Sequence, residues 1–361
     1  MFEDGRTVRV GLIGYGYAGK TFHAPLIKSV AGLELTIVGS SKRDTVLADL
    51  PGVTVCSNME EAATHPEVDL LVIASPNESH YPLAAAALHA GKHVVVDKPF
   101  TVRLADARSL VQLAEERGKL LSVFHNRRWD SEVLAAKEIV ESGVLGEVSH
   151  FETHIDRFRP QVRQRWREQT GPGGGLWFDL GPHLIDQAVQ LFGLPETINA
   201  GFAVLRKGGE TDDWAHVQLN YPSLRVILHT SLIVSGGGPR SALHGTLGSW
   251  AKFGADVQEK QLVAGVRPGS PGFGEDPDPG ILYEGATGKQ TRIPAPAVNQ
   301  AEYYVGIREA LWGRQANPVP PEQASAVMSM LDTSFQSGAT GRVLPLQLTD
   351  RERAAFAPSP Y

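Results

Sequence analysis

Short, almost unbroken apolar runs punctuate the first third of the chain: Val8–Ile13, Leu33–Gly39, Val68–Ala74, His93–Val96 and Leu120–Phe124. Apolar runs of this length without alternation read as strands buried on both faces of a parallel sheet. Helical spacing fills two of the gaps, from about Lys20 to Val30 and from Leu83 to Ala90. The second of these is opened by Pro82 and stopped by Gly91, as helix-end preferences require. Strands alternating with helices predict a parallel sheet with helices on both faces.

The pattern changes after Ser131–Ser142, an amphipathic helix closed by Gly143. From Glu147 onward polar and apolar residues alternate, in Ser149–Asp156, Trp214–Tyr221 and Leu224–Val234. Period two predicts an antiparallel sheet with one face covered by helices. Ile281–Tyr283 and Thr291–Ile293 read as a hairpin around Gly285–Gly288, and the Pro/Gly-rich, acidic stretch Gly265–Gly280 reads as a mobile loop. Two helices, about Ala301–Trp312 and Pro321–Ser337, close the chain. The expected organisation is α/β, with a doubly wound nucleotide-binding domain over 1–125 and a second α/β domain over 126–361.

Composition narrows the partners. A chain of 361 residues with 42% hydrophobic and 20% charged residues is an ordinary globular protein of two domains. A net charge of −6 gives no dominant basic face, so neither nucleic acid nor an anionic membrane is an expected partner. The single cysteine, Cys56, excludes an internal disulfide and a Cys-rich metal site. With no signal peptide and no apolar run of about 18 residues, the expected location is the cytoplasm.

The first apolar run ends in Gly14-Tyr15-Gly16-Tyr17-Ala18-Gly19, between a strand and a helix. In that context G-x-G-x-x-G cradles a dinucleotide diphosphate: the first Gly turns the chain, the second admits the phosphates and the third lets helix pack on strand. The second strand ends in Ser40-Ser41-Lys42-Arg43, where an NAD enzyme usually carries an acid for the ribose 2′-OH. Two hydroxyls and two cations suit a 2′-phosphate instead, which predicts NADP over NAD. The alternative is that Lys42 and Arg43 are simply a solvated turn. Ser75, Asn77 and His80 follow the third run and are expected to face the cofactor. Lys98 follows the fourth run and is held extended by Pro99. It can stabilise a developing alkoxide, or be a plain surface lysine.

In the second half, Asp179 and His183 stand one turn apart on one helical face, just after Gly173-Gly174-Gly175. A carboxylate beside an imidazole is a general acid–base pair, or equally a buried polar pair at a helix start. Arg157, Arg159, Arg163, Arg165 and Arg167 crowd a segment that also holds Trp166. This cluster could order a polar substrate, or could be a solvated arm or an ion-pair patch between subunits.

Taken in order and spacing, Gly14-x-Gly16-x-x-Gly19, Asp97-Lys98-Pro99 and Gly175-x-x-x-Asp179-x-Gly181-x-His183-x-x-Asp186 resemble the glucose–fructose oxidoreductase/inositol dehydrogenase family, known as Gfo/Idh/MocA. The resemblance covers nearly the whole chain. It departs from the usual Glu-Lys-Pro only in Asp97, which keeps the charge. The runs Gly19–Leu26, Ser122–Asp130 and Asp156–Pro160 look like a bacterial subgroup containing NADP-dependent scyllo-inositol dehydrogenases.

The resemblance implies a Rossmann domain, then a domain with a large, open, mainly antiparallel sheet. It implies dimers or tetramers formed through that sheet face, with cofactor and substrate meeting between the domains. It also implies Lys98, Asp179 and His183 as the catalytic set, acting on a secondary alcohol of a cyclic polyol or sugar. Arg127, Trp129, His154, Asp156, Arg157 and Trp166 join these three as candidate substrate contacts. Aldose or dihydrodiol oxidation lies within the same family. No metal is expected in the reaction. Two other classes remain: a metal site on Asp179, His183 and Asp186, which activity surviving exhaustive chelation would exclude, and a non-catalytic NADP-binding regulator, whose expected mark is loss of Lys98 or His183.

Overall fold

The computed structural model describes residues 2–357 and 359–361, with residue 166 in backbone only. It divides into two compact units.

The first unit comprises residues 1–129, 258–274 and 299–325. Its six-stranded sheet contains β1 (Val8–Ile13), β2 (Leu33–Gly39), β3 (Thr54–Cys56), β4 (Leu70–Ile73), β5 (His93–Val96) and β6 (Leu121–Val123). All neighbours are parallel, in the order β3-β2-β1-β4-β5-β6. That is the doubly wound order, reversing beside β1, and ligands of such sheets bind outside the carboxyl ends at the reversal. β4 and β5 are buried along their full lengths, which is why their sequences carry no alternation. The helix expected after the glycine loop is wound in two parts: a wider π-helical turn over Gly19–His23, then the α-helix Ala24–Ser29.

The second unit comprises residues 130–257, 275–298 and 326–361. Nine strands make one sheet: β7 (Val148–Asp156), β8 (Thr197–Ala203), β9 (Trp214–Asn220), β10 (Arg225–Ser231), β11 (Ser241–Gly245), β12 (Gly248–Lys252), β13 (Gly280–Glu284), β14 (Gln290–Ile293) and β15 (Leu344–Pro345). The order is β14-β13-β12-β11-β7-β10-β9-β8-β15. β7 and β10 run parallel and the other pairings are antiparallel. The helix Leu176–Phe192 packs on β7, β9 and β10. Phe151, Thr153 and Ile155 of β7 are buried, while His150, Glu152, His154 and Asp156 alternate with them on the less buried face.

Two stretches that follow the antiparallel pattern in sequence pack with the first unit. They are the helix Gln258–Val263 with residues up to 274, and the helix Glu302–Leu311. The front of the Pro/Gly-rich loop is anchored there: Gln261 donates to the Gly272 carbonyl and accepts from Gly274 N–H, both at 2.8 Å, and Phe273 is buried. Among the described residues no helix is long and apolar enough to cross a membrane.

Candidate active site

In the first unit the glycine loop is tight at two points and open at one. Gly14 has a φ of 94°, and a Cβ there would lie 2.5 Å from the Ala74 carbonyl oxygen. A Cβ on Gly19 would lie 1.9 Å from the Gly14 carbonyl oxygen. At Gly16 a Cβ would meet nothing within 4 Å. The chain therefore packs against itself at the first and third glycines and leaves the middle one open to a ligand, as a diphosphate needs. The fit to a dinucleotide rests on that contrast.

At the carboxyl end of β2, Ser40 is buried and its hydroxyl accepts the Lys42 N–H at 3.1 Å. Ser41, Lys42 and Arg43 are exposed, and Arg43 donates to the Val55 carbonyl at 3.2 Å. Beyond β4, Ser75 Oγ lies 2.6 Å from Ser79 Oγ and Asn77 is buried. His80 is placed differently from its sequence expectation. The ring is buried, and its nitrogens lie 2.9 Å from the Pro99 carbonyl and 3.0 Å from the Ser75 carbonyl. It braces the loops after β4 and β5 against each other rather than presenting a nitrogen to a ligand.

Asp97 is the centre of the second loop. Its Oδ1 accepts the Lys98 N–H at 2.8 Å, and its Oδ2 lies 3.8 Å from Nε2 of the buried His23, whose Nδ1 meets the Tyr304 hydroxyl at 2.6 Å. Burial pushes the Asp97 carboxyl up, but the His23 ring, Lys98 and His80 together hold it below the usual carboxylate range. An ionised carboxylate therefore sits beside the Lys98 backbone. Glu259 joins Tyr17 and Arg127, accepting from Tyr17 Oη at 2.8 Å and from Arg127 Nη2 at 3.1 Å. The Trp129 ring packs edge-on against Tyr303, with centroids 5.8 Å apart.

In the second unit Asp179 and His183 lie near the start of the helix Leu176–Phe192, with His183 buried. The helix entry is fixed by Asp212. Its Oδ2 accepts the Trp177 N–H at 2.7 Å, and its carbonyl accepts the Leu176 N–H at 3.0 Å. Gly175, with φ 98°, leaves the space that Asp212 fills: a Cβ there would lie 2.1 Å from Asp212 Oδ1. Asp212 thus caps the helix from a distant strand entry, satisfying an N–H that the glycine cannot. Gly181 admits the Trp177 ring, and Trp177 Nε1 donates to Ser334 Oγ at 2.7 Å.

The arginine-rich segment is tied down within its own unit. Arg165 Nε reaches Glu168 Oε1 at 2.8 Å, Arg206 Nη2 reaches Glu168 Oε2 at 3.1 Å, and Arg206 Nε reaches Asp213 at 2.9 Å. Arg167 Nε lies 3.6 Å from Asp179 Oδ1, and Arg157, Arg167, Asp179 and Asp212 line one cleft. His154 and Asp156, candidate substrate contacts in the sequence, lie elsewhere. They sit on the face of β7 turned away from this helix, because strand alternation gives the helix side to Thr153 and Ile155. The Trp166 side chain lies outside the described residues. Neither Asp212 nor Glu259 carries a local sequence signal, since each works through a partner distant in the chain.

Burial is the main cause that pushes the Asp212 carboxyl up to about 6, aided by the charge of Asp213 and opposed by the backbone N–H bonds it accepts. The folded chain therefore holds this proton more tightly than an unfolded carboxyl, whose pKa is about 4. Its contribution to stability is complete below about 4 and is lost as pH rises through about 6. Asp212→Asn should flatten the Tm–pH curve over that window and keep the cap, whereas Asp212→Ala should cost about 1 kcal/mol at pH 8. Identical pH–Tm curves for wild type and Asp212→Asn would refute this assignment.

Comparison with known proteins agrees with both units. The profile described as oxidoreductase family, NAD-binding Rossmann fold, matches residues 8–125, and that described as oxidoreductase family, C-terminal alpha/beta domain, matches residues 137–348. The uncharacterized oxidoreductase YdgJ of Escherichia coli K12 is 51% identical over 332 residues, 91% of this chain and 96% of YdgJ. The scyllo-inositol 2-dehydrogenase (NADP(+)) IolW of Bacillus subtilis 168 is 35% identical over 345 residues, 94% of this chain and 96% of IolW. A crystal structure from Klebsiella pneumoniae, described as an oxidoreductase, superposes with a TM-score of 0.92 at 53% identity, covering 97% of this chain and 98% of that one. With a doubly wound parallel sheet, an open middle glycine and matching profiles on both units, the chain belongs to the Gfo/Idh/MocA oxidoreductase family, with an NAD(P)-binding Rossmann domain.

Proposed function

We propose that this protein is an NADP-preferring dehydrogenase that interconverts a secondary alcohol of a cyclic polyol or sugar, of the inositol–inosose kind, with its ketone. The observation that carries the proposal is Asp179 and His183 one turn apart at the capped start of a helix, in a chain whose first unit has an open dinucleotide loop. The similarity to IolW, a scyllo-inositol 2-dehydrogenase using NADP(+), supports the substrate class.

Gly14, Gly16, Tyr17 and Gly19 would hold the diphosphate. Ser40, Ser41, Lys42 and Arg43 would hold the 2′-phosphate, and Ser75, Asn77 and Lys98 the remaining polar edge. When bound, the nicotinamide supplies the two-electron step. In the oxidative direction His183 takes the proton of the substrate hydroxyl, and in reduction it returns that proton. Asp179 orients the imidazole and stabilises its cation, and Arg167 in turn holds Asp179. The Lys98 ammonium donates to the substrate oxygen and favours its anionic form. Arg157, close to Asp179 in the same cleft, is a donor for a neighbouring hydroxyl.

An NADP(H)-coupled screen of inositols, inososes, aldoses and ketoses tests the substrate. Cofactor choice has a separate test. Wild type should show a higher kcat/KM with NADP than with NAD. Lys42→Ala and Arg43→Ala should each raise KM for NADP roughly tenfold, about the value of a charge-assisted hydrogen bond, and leave NAD unchanged. Equal use of both cofactors by wild type would sink the preference.

A further inference from the structure

The face of the second sheet turned away from the helix Leu176–Phe192 carries a cluster that the oxidoreductase chemistry does not use. There β7 and β10 run parallel and in register, with His154 beside His229 and Asp156 beside Ser231. His154 and Asp156 are two apart on one strand and project from the same face. His154 Nδ1 lies 3.5 Å from Asp156 Oδ2, and His229 Nε2 lies 3.7 Å from Asp156 Oδ1. One donor atom from each of the three residues lies within 4.8 Å of the others.

These distances are long for hydrogen bonds. Oδ1 of Asp156 is buried and has no hydrogen-bond partner among the described residues. The spacing fits another purpose. Around a tetrahedral zinc ion, with bonds of about 2 Å, neighbouring ligand atoms stand about 3.3 Å apart. The two imidazoles reach different oxygens of the one carboxylate, and with donors within 4.8 Å of one another a small inward turn of the side chains would gather them around one centre.

We propose that His154, Asp156 and His229 form a binding site for a divalent transition-metal ion of the zinc class, with the remaining position open to water or another donor. The surroundings have the form of an outer shell. His154 would ligate through Nδ1, and its Nε2 lies 3.2 Å from Glu152 Oε2, giving the carboxylate–histidine–metal order that fixes tautomer and ring plane. His229 would ligate through Nε2, and its Nδ1 faces His216 Nδ1 at 3.4 Å. The Trp214 ring meets His229 edge-on, with centroids 5.6 Å apart. Two imidazoles and one carboxylate suit zinc, cobalt or nickel, whereas magnesium and calcium ask for oxygen donors. The ion would tie β7 to β10, the parallel pair within a mainly antiparallel sheet. Sequence spacing hides the site, because His229 lies far along the chain from the other two donors.

The test uses the full-length protein stripped with EDTA and titrated with Zn²⁺ by calorimetry and with Co²⁺ by visible absorption. The expected result is one Zn²⁺ per chain, with d–d bands of four- or five-coordinate Co²⁺ that Zn²⁺ bleaches. Affinity should fall at least tenfold in His229→Ala and Asp156→Asn, and by roughly 10- to 100-fold in Glu152→Gln, the usual effect of losing such an outer partner. His244→Ala, on β11, should bind as wild type does. Far-UV circular dichroism in EDTA reports folding of each variant, and Asp156→Asn keeps the shape of the site if His229→Ala fails to fold. Absence of saturable Zn²⁺ binding by wild type overturns the proposal. So does undiminished affinity in Asp156→Asn.

Discussion

His183→Ala should lower kcat by roughly 10²–10⁴-fold, the range for loss of a general base, while the Kd for NADP(H) stays within about twofold of wild type. His183 is buried near the start of a capped helix, and Asp179 precedes it by one turn on the same face. A histidine there has two possible uses, and they separate cleanly by experiment. If the ring only fills space, alanine opens a cavity and lowers Tm, but the surviving folded enzyme turns over normally. If it carries the substrate proton, kcat collapses in protein that still binds cofactor, and one limb of the kcat–pH profile disappears. NADPH fluorescence gives the Kd, and initial rates on the best polyol or ketone give kcat. Asp179→Asn should follow in the same direction with a smaller loss, because it keeps the shape and removes the charge that stabilises the imidazolium. Turnover of His183→Ala close to wild type would remove the ring from the role assigned to it.

The parallel sheet was legible because its strands are buried on both faces, so each appears as an uninterrupted apolar run with a glycine or polar residue at its carboxyl end. β4 and β5 are the clearest cases. β7 was legible for the opposite reason: one face is packed and one is not, and the alternation survives in the sequence. That alternation also held information about the site. His154 and Asp156 belong to the face opposite Thr153 and Ile155, which takes them away from the helix bearing His183 and into the cluster with His229. β3 and β15 are edge strands of three and two residues, too short to carry a periodic signal, and β8, β11 and β12 are likewise not read from the sequence. The helix start at Leu176 was legible in its residues but not in its cap. Asp212 lies far from Trp177 in the chain, and no local rule connects a glycine with positive φ to the carboxylate that occupies its missing side chain. His80 marks a different limit. Position at a strand's carboxyl end predicts proximity to a ligand, but only the structure reveals that both ring nitrogens face backbone carbonyls.

Substitutions in the glycine loop should divide into two kinds. Gly19→Ala places a methyl group 1.9 Å from the Gly14 carbonyl oxygen. The backbone at Gly14 also runs close to the Ala74 carbonyl, where a Cβ on Gly14 would come within 2.5 Å of its oxygen, so the loop has little room to yield on that side. The strain must therefore spread into β1 and the π-helical turn that begins at Gly19. Gly19→Ala should lower stability by about 1–3 kcal/mol, the usual cost of overpacking, and weaken NADP binding by at least tenfold. Gly16→Ala should behave otherwise. Its methyl would project into open space, and Gly16 does not need a positive φ, so the Tm of the cofactor-free protein should match wild type. The methyl would nevertheless occupy the place where a diphosphate approaches the backbone, and the Kd for NADP should rise at least tenfold. Thermal melts without cofactor, paired with NADPH titrations, distinguish the two variants. A Gly16→Ala protein that binds NADP as tightly as wild type would mean that the diphosphate does not lie against this glycine, and the assignment of Gly14, Gly16 and Gly19 as its cradle would fail with it.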